Sequence, residues 1–309
     1  MKKNILVAVD ASTQSKKAVK YALKMRSLIE NLHFTLVNVQ PAVSDFLVKD
    51  ACLDSKAKAA LEAFRAKNEK HSMTLLEKYK ADMIAAGADN QSIELVSLPR
   101  TMGAAKDILT YARQQQQSAI LLGRRGVSKL EELFAGSVTN AVLEHADVTP
   151  VWAIDGDVSS TKILVAVDGS QSALNAVDYV CQMMGDTPSV RFTLLHVTSS
   201  VKDFCAIDFQ EDVGIVEEII ASGDQKCLSN FYSHAQQKFK AAGVAQDRIS
   251  IEEVKSTGSI SKTIVDEAKK GNFGIVVVGR TGAHDSFFVG SVSRYIVKNA
   301  TNCAVWLVP

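Results

Sequence analysis

"ILVAVDASTQSKKAVKYALKMRSLIENLHFTLVNV" runs from Ile5 to Val39, and "ILVAVDGSQSALNAVDYVCQMMGDTPSVRFTLLHV" from Ile163 to Val197. The offset is 158 residues with no gap, and 15 of the 35 positions are identical. They include Ile-Leu-Val-Ala-Val-Asp entire, Ser12 with Ser170, and Phe34-Thr35-Leu36 with Phe192-Thr193-Leu194. The carboxyl-terminal ends of the two halves also match, "HADVTPVWAI" (His145–Ile154) against "NATNCAVWLV" (Asn299–Val308). A period this long is a duplicated domain, because solenoid repeats run to about 20–50 residues. The chain therefore reads as domain 1 over 1–156 and domain 2 over 160–309, with the polar "DGDVSST" (Asp155–Thr161) as the seam.

Each half alternates strands and helices. Ile5–Val9 is a continuous apolar run, the pattern of a strand buried on both faces of a parallel sheet. Ser12 offers a helix N-cap, and Ala18, Ala22, Met25 and Ile29 fall on one side of the helix that follows. "HFTLVNV" predicts a second strand. The lysine-rich Ser55–Ala86 predicts a long helix ended by Gly87. "SIELVSL", a helix over Ala104–Gln114, "SAILLG", a helix over Ser137–His145 and "PVWAI" complete the half. The second half repeats the order, ending with "FGIVVVG", a helix over Ser291–Asn299 and "CAVWLV". Such alternation implies right-handed crossovers and an α/β fold with a parallel sheet covered on both faces. The glutamine run Gln114–Gln117, at a helix end, is expected to be solvated surface.

Bulk properties exclude several classes. Lys plus Arg number 35 and Asp plus Glu 34, so no large basic field exists to hold nucleic acid or an anionic membrane. Five scattered cysteines contain no CxxC pair, which fits reduced thiols and gives no zinc or redox motif. The apolar run in "MKKNILVAVDAS" is short and interrupted by Asp10, unlike a secretory signal. The expectation is a cytoplasmic protein without a metal site.

The carboxyl ends of the strands are where ligands gather in such sheets. Asp10 and Asp168 each close a first strand there, able to accept from a ribose hydroxyl or an adenine amine, or to favour a helix N-terminus. Gly123 closes the fourth strand and begins "GRRGVSKLEELFAGS" (Gly123–Ser137). Gly126 lies within this loop, and Gly136-Ser137 open the next helix. Glycines let a backbone approach a ligand, and exposed amides at a helix start cradle an anion. Ser137 adds a hydroxyl, and Arg124 and Arg125 add charge. The same residues also suit an ordinary turn and cap. Catalytic signatures are missing. The chain has no G-x-x-x-x-G-K-[ST], no G-x-G-x-x-G after a strand and no G-x-S-x-G. None of the six histidines is paired; His145 and His196 read as ordinary element ends, and His284 as a solvated loop residue.

These features together resemble the universal stress protein family in a tandem arrangement, across essentially the whole chain. The carriers are "ILVAVDAS" and "ILVAVDGS", with "LLGRRG…GSVTNAVLEHADVTPVWAI" and "VVGRTG…GSVSRYIVKNATNCAVWLV". The resemblance implies flavodoxin-like (Rossmann-like) domains of five parallel strands, packed as a pseudo-dimer through their fifth strands, with further homodimerisation open. It also implies ATP, with or without Mg2+. Asp10, beside Ala8 and Val9, would meet the ribose, and Val39 the adenine. Gly123, Arg124, Gly126, Gly136, Ser137 and Val138 would surround the phosphates in a G-x2-G-x9-G-S loop. Domain 2 keeps Asp168, Val197, Gly279, Gly282, Gly290, Ser291 and Val292, but seven residues separate Gly282 from Gly290 where the family has nine. Asp285 and "SFFV" also crowd that loop, so its site is expected to be altered, weaker or empty.

The leading expectation is an ATP-binding regulator of the stress response, at most a slow ATPase. One alternative is a nucleotide-independent interaction module in which domain 2 binds a protein or apolar ligand, drawing on "FCAIDFQEDVGIVEEIIASG". A nucleotidyl transferase or ATP pyrophosphatase is disfavoured, because "DASTQS" and "DGSQSA" replace their His-x-Gly-His or Ser-Gly-Gly-x-Asp-Ser loops.

Overall fold

A computed structural model describes residues 3–124, 137–198, 228–256, 258–281 and 289–309. These fall into two compact units, the first ending at Ile154 and the second beginning at Asp155.

Unit 1 contains β1 (Lys3–Ala8), α1 (Thr13–Arg26), β2 (Leu32–Val39), α2 (Asp45–Asp50), α3 (Ser55–Ala85), β3 (Ile93–Leu98), α4 (Ala104–Gln114), β4 (Ala119–Gly123), α5 (Ser137–His145) and β5 (Val151–Ile154). Its sheet runs β3-β2-β1-β4-β5. Every pairing is parallel, with Val7 opposite Leu36 on one side and Leu121 on the other, and Leu121 opposite Trp152. Ile5, Leu6 and Val7 are all fully buried, although successive side chains of a strand point to opposite faces. Both faces of β1 are therefore covered.

Unit 2 repeats this with β6 (Ile163–Val167), α6 (Gln171–Met184), β7 (Phe192–Thr198), a helix α7 described over residues 228–241, β8 (Ile249–Lys255), α8 (Ile260–Lys270), β9 (Ile275–Gly279), α9 (Ser291–Asn299) and β10 (Ala304–Val308). Its order is β8-β7-β6-β9-β10, again parallel, with Val165 between Leu194 and Val277. The 158-residue offset therefore carries the pairing of β6 with β7 along with the sequence.

Local chemistry sets the element ends. Ser12 caps α1 by accepting from the Ser15 amide at 3.2 Å, and Ser170 caps α6 by accepting from the Ala173 amide at 3.1 Å. Gly87 and Gly243 end α3 and α7 at φ of 89° and 71°, a region that favours glycine. Each core centres on one tryptophan. Trp152 meets Tyr21 edge-on at 6.1 Å between ring centroids, and Trp306 meets Tyr179 at 5.9 Å.

Three features differ from the sequence expectation. The six-residue α2 appears where no helix was read, and it buries no side chain. Ile29 is buried but lies past the end of α1, its amide donating to the Met25 carbonyl at 2.8 Å. Gln117 is not solvated surface. It is buried, and its Nε2 donates to Thr35 Oγ1 at 3.4 Å.

The β3–α4 turn is tied by Asp107, whose carboxylate accepts from the Thr101 amide (2.9 Å), the Thr101 hydroxyl (2.6 Å) and the Met102 amide (3.0 Å). Burial alone would raise its pKa, but hydrogen bonds from Thr101, Met102 and Gly103 hold it below the ordinary carboxylate value. A depressed folded pKa gives stability that is present above the unfolded value and lost as pH falls through the folded one. Asp107→Ala is expected to cost about 1–3 kcal/mol at neutral pH. The gap from wild type should close below about pH 4 in urea titrations run as a pH series.

Candidate functional site at the carboxyl edge of unit 1

In unit 1 the strand order reverses direction at β1, which has β2 on one side and β4 on the other. That is the topological switch point, beyond whose strand ends open α/β sheets bind their ligands. Asp10 lies directly past the end of β1, Val39 ends β2 and Gly123 ends β4, so three of the expected residues converge there. Ala8 and Val39 are half-buried and Val9 is buried. The Val9 amide continues the ladder onto the Val37 carbonyl at 2.8 Å, and Asn38 Nδ2 donates to the Val9 carbonyl at 2.7 Å.

Asp10 is exposed but held from several sides. Its Oδ1 accepts from the Ser12 amide (2.9 Å) and the Ser15 hydroxyl (2.6 Å), while its own amide donates to Ser15 Oγ (2.8 Å). Its carbonyl accepts from the Tyr79 hydroxyl at 2.8 Å, tying α3 to the end of β1. Burial, with the charges of Asp10 and Asp82, raises the Tyr79 pKa, so the hydroxyl keeps the proton it donates. Neither Ser15 nor Tyr79 was singled out from the sequence. Tyr79 lies 69 residues from Asp10, and only folding brings them together.

Gly123 leaves no room for a side chain, because an added Cβ would overlap the Gln14 carbonyl oxygen and lie 2.5 Å from its carbon. The first turn of α1 is thus packed against the end of β4. Thr139, in the first turn of α5, donates to the Gly123 carbonyl at 3.2 Å. Ser137 begins α5 and Val138 is half-buried beside it. Arg124, expected near a phosphate, is 6% exposed, and its amide extends the ladder to the Ile154 carbonyl at 2.7 Å. Gly126 and Gly136 lie outside the described residues, as does Arg125.

Unit 2 keeps the frame and changes the fittings. Asp168 is exposed and accepts from the Ser170 amide at 3.0 Å. The position matching Ser15 is Ala173, so that second bond to the carboxylate is lost. Eight residues before the closing glycine, α3 has Tyr79 and α7 has Ala235. His196 replaces Asn38 and makes the same tie, Nδ1 to the Val167 carbonyl at 3.0 Å, while its Nε2 is buried without a partner among the described residues. Val197 is buried, Gly279 abuts Ser172, and Ser293 donates to the Gly279 carbonyl at 2.6 Å. The Gly290 amide, which would face an anion in a phosphate loop, donates instead to the Arg280 carbonyl at 2.9 Å. Ser291 is exposed and Val292 half-buried; Gly282 and His284 lie outside the described residues.

The universal stress protein family profile matches residues 1–155 and again 160–309. The chain belongs to the universal stress protein family. A universal stress protein of Mycolicibacterium smegmatis is 22% identical over 306 residues, covering 96% of this chain and 94% of its own length. Among solved structures, a universal stress protein from Archaeoglobus fulgidus superposes with a TM-score of 0.65 at 19% identity, covering 98% of this chain and 97% of that one. A Pseudomonas aeruginosa protein described as a putative universal stress protein gives 0.56 at 13% identity, covering 99% and 92%. At these identities the likeness establishes the fold, α/β with tandem universal stress protein domains.

Other chemistry is thin. Among the described residues no group of three His, Cys, Asp or Glu side chains could hold a metal ion, and no helix is long and apolar enough to cross a membrane. Burial, reinforced by Asp178, pushes the Cys181 thiol up to about 12, so it is no thiolate nucleophile.

Proposed function

We propose that this universal stress protein is an adenine-nucleotide-binding regulator of the stress response, working through the carboxyl edge of unit 1, with ATP as the ligand and at most slow hydrolysis. The observation that carries the reading is Asp10, fixed by Ser12, Ser15 and Tyr79 at the switch point, past the end of β1 and next to the strand that Gly123 ends. A carboxylate already immobilised loses little entropy on accepting a ribose hydroxyl. Gly123 then begins the full G-x2-G-x9-G-S spacing, whose amides and Ser137 suit phosphates. Mg2+ enters only as the counter-ion of the triphosphate.

The test is calorimetric titration with ATP. One equivalent per chain is expected. Asp10→Ala should weaken binding by at least about tenfold, roughly 1.4 kcal/mol, and Asp168→Ala should leave it unchanged. Two equivalents, or indifference to Asp10→Ala, overturns the reading.

A second reading concerns unit 2, as a nucleotide-independent module for a protein or apolar ligand. It is favoured by α7, which buries Leu228, Phe231 and Ala235. The apolar segment that prompted it, Phe204–Gly223, lies outside the described residues. A partner captured equally with and without ATP would select this reading.

A further inference from the structure

We propose that Asn68 and Ser72, on α3, form the base-recognition edge of the unit 1 site, hydrogen-bonding the heteroaromatic base and setting which nucleotide is preferred. The proposal rests on the nucleotide reading above.

Both side chains are buried, Asn68 8% exposed and Ser72 1%, and neither Asn68 Nδ2 nor Ser72 Oγ has a hydrogen-bond partner among the described residues. Unpaired buried polar groups are rare in native proteins, and each calls for an explanation. The helix itself offers one escape that Ser72 does not take. Thr74, two residues on, folds its hydroxyl back to the Lys70 carbonyl at 2.8 Å.

Helical phase shows where the pair faces. At 100° per residue, positions 68, 72 and 79 share an arc of about 40°. Tyr79 on that arc reaches the Asp10 carbonyl, at the carboxyl end of β1. α3 descends from there toward the amino edge, where Lys80 Nζ reaches the carbonyl of Ile93, the first residue of β3. Ser72 and Asn68 therefore stand about 10 and 16 Å farther along the axis, beyond the strand ends. α3 packs on β2 and β3, the side of β1 opposite β4 and Gly123. The order across the edge becomes Asn68 and Ser72, then Asp10, then Gly123, which matches base, ribose and phosphates.

The chemistry selects the base over a phosphate. The buried residues along this face of α3 are Leu61, Leu76, Tyr79 and Met83, with no cation to offset a buried anion. An amide offers a donor and an acceptor side by side, the pairing that meets the N6/N7 edge of adenine, and a hydroxyl serves in either sense. Unit 2 supplies the contrast. Counting back fifteen residues from the closing glycine, Ser72 corresponds to Leu228, which is buried.

The experiment titrates wild type, Asn68→Leu and Ser72→Ala with ATP, GTP and inorganic tripolyphosphate. Wild type should prefer ATP to GTP by about tenfold. Each variant should lose about tenfold in ATP affinity (~1.4 kcal/mol), shrink the ATP-to-GTP ratio and keep its tripolyphosphate affinity. Apolar replacement removes an unpaired group, so thermal midpoints should hold or rise. If Asn68→Leu nevertheless misfolds, Asn68→Ala removes the amide without added bulk or charge and should show the same loss. A wild type that binds no ATP defeats the nucleotide reading itself. ATP binding that survives in both variants with its selectivity intact overturns this proposal alone, as would a buried water filling the gap. An equal loss for all three ligands would mean a collapsed site and overturns it too.

Discussion

Gly123→Ala should destabilise unit 1 by about 3 kcal/mol, the upper range for overpacking a rigid contact. The new methyl would overlap the Gln14 carbonyl oxygen and sit 2.5 Å from its carbon, both backbone atoms at the start of α1. Backbone cannot rotate aside, so α1 and β4 must separate. The duplicated site gives an internal control. At Gly279 the nearest atom is the Ser172 hydroxyl oxygen, which can turn away, although the Ser172 carbonyl carbon at 2.9 Å stays in place. Gly279→Ala should therefore cost less, about 1–2 kcal/mol. Urea denaturation of both variants checks the ordering, and equal midpoints would refute the backbone explanation. In Gly123→Ala, ATP affinity should fall together with stability, because the same displacement moves the start of the phosphate loop relative to Asp10.

Trp152→Ala is expected to cost about 3–5 kcal/mol, as for other large aromatic truncations in cores. Trp152 is fully buried on β5 opposite Leu121, with Tyr21 of α1 edge-on against it. The ring thus joins the strand to the helix that presents Ser12 and Ser15. Trp152→Phe keeps an aromatic partner for Tyr21 and should lose less. Circular dichroism in urea would place the three proteins in order. A Trp152→Ala midpoint equal to wild type would contradict the core role. The chain has two tryptophans, one in each half, so after Trp152 is removed the remaining fluorescence reports on Trp306 alone.

What the sequence made legible was what repeats or what alternates. Ile5–Val9 could be read as a doubly covered strand because burial on both faces demands unbroken apolarity, and its copy at Ile163 showed the same demand met twice. Asp10 and Gly123 were legible because strand ends at a switch point are few. The residues that hold Asp10 were not. Tyr79 sits in a lysine-rich helix whose polar positions look solvated, and a contact across 69 residues leaves no local pattern. Ser15 was hidden for another reason, since hydroxyls near a helix start are ordinary capping chemistry. α2 escaped since six residues are too few for a helical period and none is buried.

α3 is stabilised unevenly along its 31 residues. From Asn68 onward a buried side chain recurs every three or four residues to Met83, whereas before Asn68 only Leu61 is buried. Opening free energy follows such burial, so it should climb from near zero at Ser55 toward the value for the whole unit near Met83. The helix is thus anchored at one end and free to fray at the other, with Asn68 and Ser72 at the boundary. Any molecule that bonds there would add its free energy where the local balance is closest, lengthening the ordered part of the helix without moving the sheet.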